Sequence, residues 1–175
     1  QSSFYQEIIN AIEQYDALIG CSSIILASPA FWKEELLREM KDEALKKKIV
    51  QASCSSVDAS AINEVLKRNE VQEALQQERA AQELNLVEEL LKEIHKEGKA
   101  VYGFSHVKDA AEAGAVAMLL VTDTFIHKKR ESNAYLPVEE LMKVVDHKKG
   151  EIHIISSEHE GGKRLDGLGG IGALL

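Results

Sequence analysis

The chain has 175 residues, enough for one ordinary domain or two small ones, and its 45% hydrophobic content excludes general disorder. Its 29 acidic against 21 basic residues give a formal charge of -8, which removes any general attraction to nucleic-acid phosphates. No apolar run reaches the roughly 18 residues of a membrane span and no leader pattern opens the chain, so no membrane partner is expected and the location reads as cytoplasmic.

Phe4, Ile8, Ile12, Tyr15, Leu18 and Ile19 recur at helical spacing, and Ser3 with Gln6 suits a capping box, so a first helix runs to about residue 18. The β-branched run 24–27 predicts a strand. Ser28 and Pro29 then offer a cap and first position for a helix carrying Trp32, Leu36, Leu37 and Met40. Residues 48–52 predict a second strand, followed by a polar stretch and a helix around Ile62, Val65 and Leu66. From 70 to 97 nearly every residue is a good helix former, with Gly98 placed as a left-handed cap. Because apolar content thins through Gln76, Gln77, Glu78 and Arg79, two helices are predicted, with a domain boundary and hinge between Ala80 and Asn85.

The second half alternates more cleanly. Strand 100–102, helix 105–113 ended by Gly114, strand 116–122, a helix opening on Pro137, strand 151–155, a short helical turn at 164–168 and an apolar end at 171–175 predict a sheet covered on both faces. This is a three-layer α/β/α sandwich. The first unit, with two strands against at least three helices, reads as an incomplete α/β domain whose opening strands precede Gln1.

No constellation of residues carries chemistry. Cys21 and Cys54 read as buried free thiols in a reducing compartment, and the six histidines show no ligand spacing, so no metal or cofactor is expected. Ser105 lacks the glycines of a nucleophile elbow and reads as a helix cap. Asp123 ends an apolar strand, where a turn or cap is the simpler reading. The glycine run 167–172 lacks the Lys-Ser/Thr ending of a phosphate loop and reads as tight passage into a final strand. Of two basic triplets, Lys46-Lys47-Lys48 suits a helix end, whereas Lys128, Lys129 and Arg130 fall in a long polar stretch read as an exposed, partner-facing loop.

Residues 25–34 (Ile-Leu-Ala-Ser-Pro-Ala-Phe-Trp-Lys-Glu), 103–107 (Gly-Phe-Ser-His-Val), 113–123 (Ala-Gly-Ala-Val-Ala-Met-Leu-Leu-Val-Thr-Asp) and 168–175 (Leu-Gly-Gly-Ile-Gly-Ala-Leu-Leu) occur in one order, and in that combination the chain resembles the archaeal Pelota family. The resemblance implies that residues 1–82 form a release-factor-like central domain without its opening strands. It implies that residues 83–175 form a C-terminal, partner-docking domain similar to the ribosomal L7Ae fold. Family members enter the vacant decoding site of a stalled ribosome with an elongation-factor-like GTPase and, with an ATP-binding-cassette recycling protein, separate the subunits. Both nucleotide hydrolyses belong to those partners, so a non-enzymatic adaptor is expected.

Two departures stand out. The family commonly has Pro-Gly-Phe where this chain has Pro29-Ala30-Phe31, and the Sm-like domain that opens family members has no counterpart here. The peptide-releasing Gly-Gly-Gln of termination factors is absent too, so peptidyl-tRNA hydrolysis is not expected. Pro29, Phe31, Trp32, Lys128, Lys129 and Arg130 are the expected partner-binding residues. An L7Ae-like module binding structured RNA is the alternative reading, and a hydrolase or nuclease ranks behind both.

Overall fold

The computed structural model describes residues 2–175, with side chains from Phe4 onward. The proposed Ser3 cap therefore lies outside the described residues. The chain divides into two compact units, residues 1–78 and 79–175.

In the first unit, α1 (Ser2–Ile19) precedes β1 (Ile24–Ser28), α2 (Trp32–Glu39), α3 (Glu43–Lys46), β2 (Ile49–Ser53) and α4 (Ser60–Leu66). β1 and β2 pair in parallel, with Ile24 opposite Ile49 and Ser28 opposite Ser53. A parallel pair needs a crossover, here α2 and α3. Side chains of successive strand residues point to opposite faces, and β1 splits accordingly. Ile24 and Leu26 join Ile9, Leu36, Met40 and Leu45 on one face, while Ile25 and Ala27 join Ala52, Cys54, Ala61, Val65 and Val71 on the other. Cys54 is buried as read, but Cys21 is only half-buried.

α5 (Asn69–His95) begins in the first unit and ends in the second, and it corrects the expectation of two helices. Glu, Gln, Ala and Arg keep a helix going by backbone propensity alone, without an apolar face. The thinning at 76–79 marks exposure, not a break. Its left-handed terminal residue is Glu97 (φ 52°), one position before the expected Gly98.

The second unit continues with β3 (Ala100–Tyr102), α6 (Phe104–Glu112), β4 (Met118–Thr122), α7 (Asp123–Glu131), α8 (Leu136–His147), β5 (Glu151–Ile155), α9 (Glu160–Asp166) and β6 (Ile171–Leu174). Its sheet has the order β3-β6-β4-β5, with β4 and β5 parallel and β6 antiparallel to both neighbours. Leu119, Val121, Ile171 and Ala173 pack on one face against Val107, Ala111, Ile126, Leu141 and Val145 of α6, α7 and α8. Leu120, Ile155 and Leu174 pack on the other against Val87 and Leu90 of α5 and Leu165 of α9. This is the expected three-layer sandwich. Gly172 permits the second contact, since a Cβ there would lie 2.6 Å from Leu90 Cδ2.

Candidate partner-binding surfaces

The first surface is the turn between β1 and α2. Ser28 Oγ accepts the Lys33 amide at 3.0 Å, so the serine still ties down the helix start. The helix itself opens at Trp32 and not at Pro29, because Ala30 has φ 48°, a left-handed value no helix accommodates. The buried Lys33 Nζ donates to the Ala30 carbonyl at 3.1 Å and pairs with Glu34 at 3.4 Å, holding the turn in place.

This geometry pushes Phe31 into solvent (77% exposed) and leaves Trp32 58% exposed with its ring edge-on to Phe4 at 6.5 Å. Pro29 and Trp32 line an apolar cleft of about 500 Å³ with Tyr5, Ile8, Leu26 and Val57. An L-residue in the left-handed region costs about 1 kcal/mol or more, and a Cβ is what Ala30 carries in place of the family glycine. Ala30→Gly is therefore expected to raise the stability of this unit by about 1 kcal/mol in urea unfolding. A lower midpoint would show that the turn is not strained.

The second surface corrects a prediction: Lys128, Lys129 and Arg130 lie in the last turn of α7, not in a loop. Thr122 caps this helix by accepting the Phe125 amide at 3.0 Å, and the same hydroxyl donates to Asp166 at 2.7 Å. Acidic Asp123 in the first turn and three cations in the last match the helix dipole at both ends.

Two of the three cations are held by rings of their own unit. Lys129 Nζ sits 6.0 and 5.5 Å from the ring centres of Phe104 and Phe125, and the Arg130 guanidinium lies 4.5 Å from that of Tyr135. Lys128 is exposed and makes no ion pair among the described residues. Tyr135 was missed from sequence, since nothing marks an aromatic five positions beyond an arginine as its stacking partner.

The other residues weighed from sequence have structural roles. Asp123 Oδ1 accepts the amides of Ser157 at 2.9 Å and Thr124 at 2.8 Å. Partial burial alone would raise its carboxyl, but these amides outweigh it and hold the group below the ordinary aspartate range. Ser105 is not a cap, because α6 starts at Phe104 and its first bond runs from the Val107 amide to the Gly103 carbonyl at 3.0 Å. Gly169 and Gly170, at φ 100° and 83°, make the tight entry into β6.

The polar cluster that sequence spacing concealed joins Glu83 of α5 to His159, 76 positions later. His159 Nδ1 accepts the Gly161 and Gly162 amides at 3.1 and 3.4 Å, so Nε2 carries the proton and donates to Glu83 at 2.5 Å. Arg79 Nε at 2.9 Å and the Ser156 amide at 3.3 Å complete the carboxylate's partners. Among the described residues no group of three or more His, Cys, Asp or Glu could hold a metal ion, and no helix is long and apolar enough to cross a membrane.

Two α/β units in series, the second on a mixed four-stranded sheet, are the architecture of a release-factor-like protein. Residues 80–175 match the family described as eRF1 domain 3 and residues 1–77 match eRF1 domain 2, and the chain belongs to this family. Its similarity to Pelota proteins runs the full length. It is 34% identical to the pelota homologue of Methanocella arvoryzae over 100% of this chain and 48% of that protein.

Among solved structures, ribosome-bound archaeal Pelota with ABCE1 matches at a TM-score of 0.64 and 34% identity, over 99% of this chain and 48% of that one. Saccharomyces cerevisiae Dom34, a translation termination-like factor of RNA quality control that interacts with Hbs1, matches at 0.56 and 30%, over 99% and 52%. The chain spans about half the length of the curated relatives it matches.

Proposed function

We propose that the chain is a non-enzymatic adaptor in the rescue of stalled ribosomes and in mRNA surveillance, acting in the cytoplasm with an elongation-factor-like GTPase and an ATP-binding-cassette recycling protein. The observation that carries this reading is the likeness of this whole chain to about half the length of Pelota proteins, one of them bound to a ribosome with ABCE1. Residues 1–82 act as the central domain and 83–175 as the partner-docking domain, with no cofactor of their own.

Physical features of the chain support it. A charge of -8 disfavours loose RNA binding and leaves contacts to specific surfaces. Beside Pro29, Phe31 and Trp32 present exposed aromatic area on the turn, the type of side chain enriched where binding energy concentrates at protein interfaces. Lys128, Lys129 and Arg130 contribute a cationic face on the second unit.

Titrating the intact chain with an elongation-factor-like GTPase in its GDP and GTP states tests the reading. Binding is expected to prefer the GTP state and to weaken about tenfold or more in Phe31→Ala. Phe31 is exposed, so this change should leave the fold intact. Equal binding in both nucleotide states, or tight hairpin-RNA binding untouched by the substitution, would overturn it and favour the structured-RNA alternative.

A further inference from the structure

We propose that Lys33 is a positioning residue of the first candidate surface: its ammonium fixes the left-handed turn at Ala30 and thereby sets the direction in which Phe31 and Trp32 meet a partner. Lysine is rarely buried without a compensating group, and the first turn of a helix favours anions over cations. Lys33 goes against both preferences, being 7% exposed as the second residue of α2. A buried residue that local preference opposes is expected where a fold is held in one shape for function.

This single residue pins the turn twice. The Lys33 amide donates to Ser28 Oγ at 3.0 Å, and its Nζ donates to the Ala30 carbonyl at 3.1 Å. Phe31 and Trp32 are the two residues enclosed between Ala30 and Lys33. Ala30 is exposed, so packing of its methyl group does little to enforce a φ of 48° that alanine disfavours, whereas the ammonium grips its carbonyl directly. The same ammonium pairs with Glu34 Oε1 at 3.4 Å, and Glu34 Oε2 is enclosed with no hydrogen-bond partner among the described residues, so the cation also compensates this carboxylate.

Two aromatic side chains held in advance spare a partner the entropy cost of ordering them. That this surface meets a GTPase rests on the adaptor reading; the hold of Lys33 on the turn does not. Lys33 also lines the apolar cleft beside Pro29, Trp32 and Leu36, so an apolar side chain of similar length would keep that packing and lose only the charged grip.

Trp32 is the only tryptophan of the chain, so its fluorescence reports on this turn alone. In the intact chain, Lys33→Met should move the emission to the red and strengthen acrylamide quenching as the edge contact with Phe4 is lost. Binding to an elongation-factor-like GTPase in its GTP state should weaken about fivefold or more, the cost of ordering two side chains. Arg38→Met, which removes an exposed cation from the same helix, should change neither. Ala30→Gly in the Lys33→Met background should recover part of both, because glycine enters the left-handed region without help.

Parent-like emission and affinity in Lys33→Met would overturn the positioning role. An equal loss of affinity with and without Ala30→Gly would do so too, by showing that the ammonium acts on the partner itself or on the core. Where Lys33→Met alone unfolds, a folded double variant with parent-like emission supports the role and an unfolded one overturns it. Altered emission with unaltered affinity, beside Phe31-dependent GTPase binding, rejects the positioning role and leaves the adaptor reading standing. Absence of GTPase binding by the parent rejects the named partnership, and the emission of Lys33→Met with and without Ala30→Gly then decides whether Lys33 holds the turn.

Discussion

Gly162→Ala is expected to destabilise the second unit by about 3 kcal/mol or more, at the upper end of what an inserted methyl group costs. Gly162 is buried in the first turn of α9, and a Cβ there would stand 1.9 Å from the Ser156 carbonyl oxygen and 2.6 Å from Ser157 Cα. Both obstacles are backbone, so no side chain can rotate away. The turn between β5 and α9 would have to move, taking with it the Ser156 amide on Glu83 and the Ser157 amide on Asp123. Gly167→Ala at the C-cap of the same helix is the milder comparison, since its φ of -61° suits alanine and its nearest contact is 3.2 Å away. Urea unfolding of the two variants should separate widely. A Gly162→Ala midpoint equal to that of the parent would show that the turn has room the packing denies.

Glu83→Gln should cost about 2 kcal/mol at neutral pH, the typical effect of leaving buried donors mismatched. Glu83 is 6% exposed and accepts from His159, Arg79 and the Ser156 amide, so an amide group in its place turns one acceptor into a donor facing donors. The pH dependence follows from the direction in which its carboxyl is displaced. Burial by itself raises it, but the hydrogen bonds from His159, Arg79 and Ser156, with the Arg79 charge, outweigh burial and hold it below the ordinary 4.5. A depressed folded value means the contribution is fully present above about pH 4.5 and disappears as pH falls through the lower folded value. The gap between parent and Glu83→Gln should therefore be flat above that pH and close in acid. A gap that widens in acid would mean that the cluster does not stabilise the charged carboxylate.

The sequence was most readable where elements are short, β-branched and bounded by glycine. β3 and β5 fall on residues 100–102 and 151–155 as read, and Gly114, at φ 71°, ends α6 one residue beyond its cap. It was least readable where helix propensity and burial part company. α7 buries only Ile126, too little to show a helical stripe, and its start depends on a Thr122 hydroxyl that from sequence suits a turn equally well. That one misreading turned a dipole-matched helix end into a supposed loop. Ala30 hides its left-handed φ because alanine rarely adopts one, and only the Lys33 ammonium on its carbonyl shows what holds it. Two contacts, Arg130 on Tyr135 in the second candidate surface and His159 on Glu83 in the polar cluster, are made across a turn and across 76 positions, and no local pattern encodes them.

The strand order of the second unit also dictates when it can be made. β6 is the last strand in sequence yet occupies an interior place, paired on one side with β3 and on the other with β4. During synthesis, β3 therefore has no neighbour, and β4 shows an open apolar flank, until residues 171–174 have left the ribosome. A nascent chain halted before Ile171 would hold every helix of this unit and no closed sheet, with Leu119, Leu120 and Val121 lacking the strand that seals them. Closure of this sheet thus waits on β6, and a chain lacking that strand presents the edges of β3 and β4 unpaired.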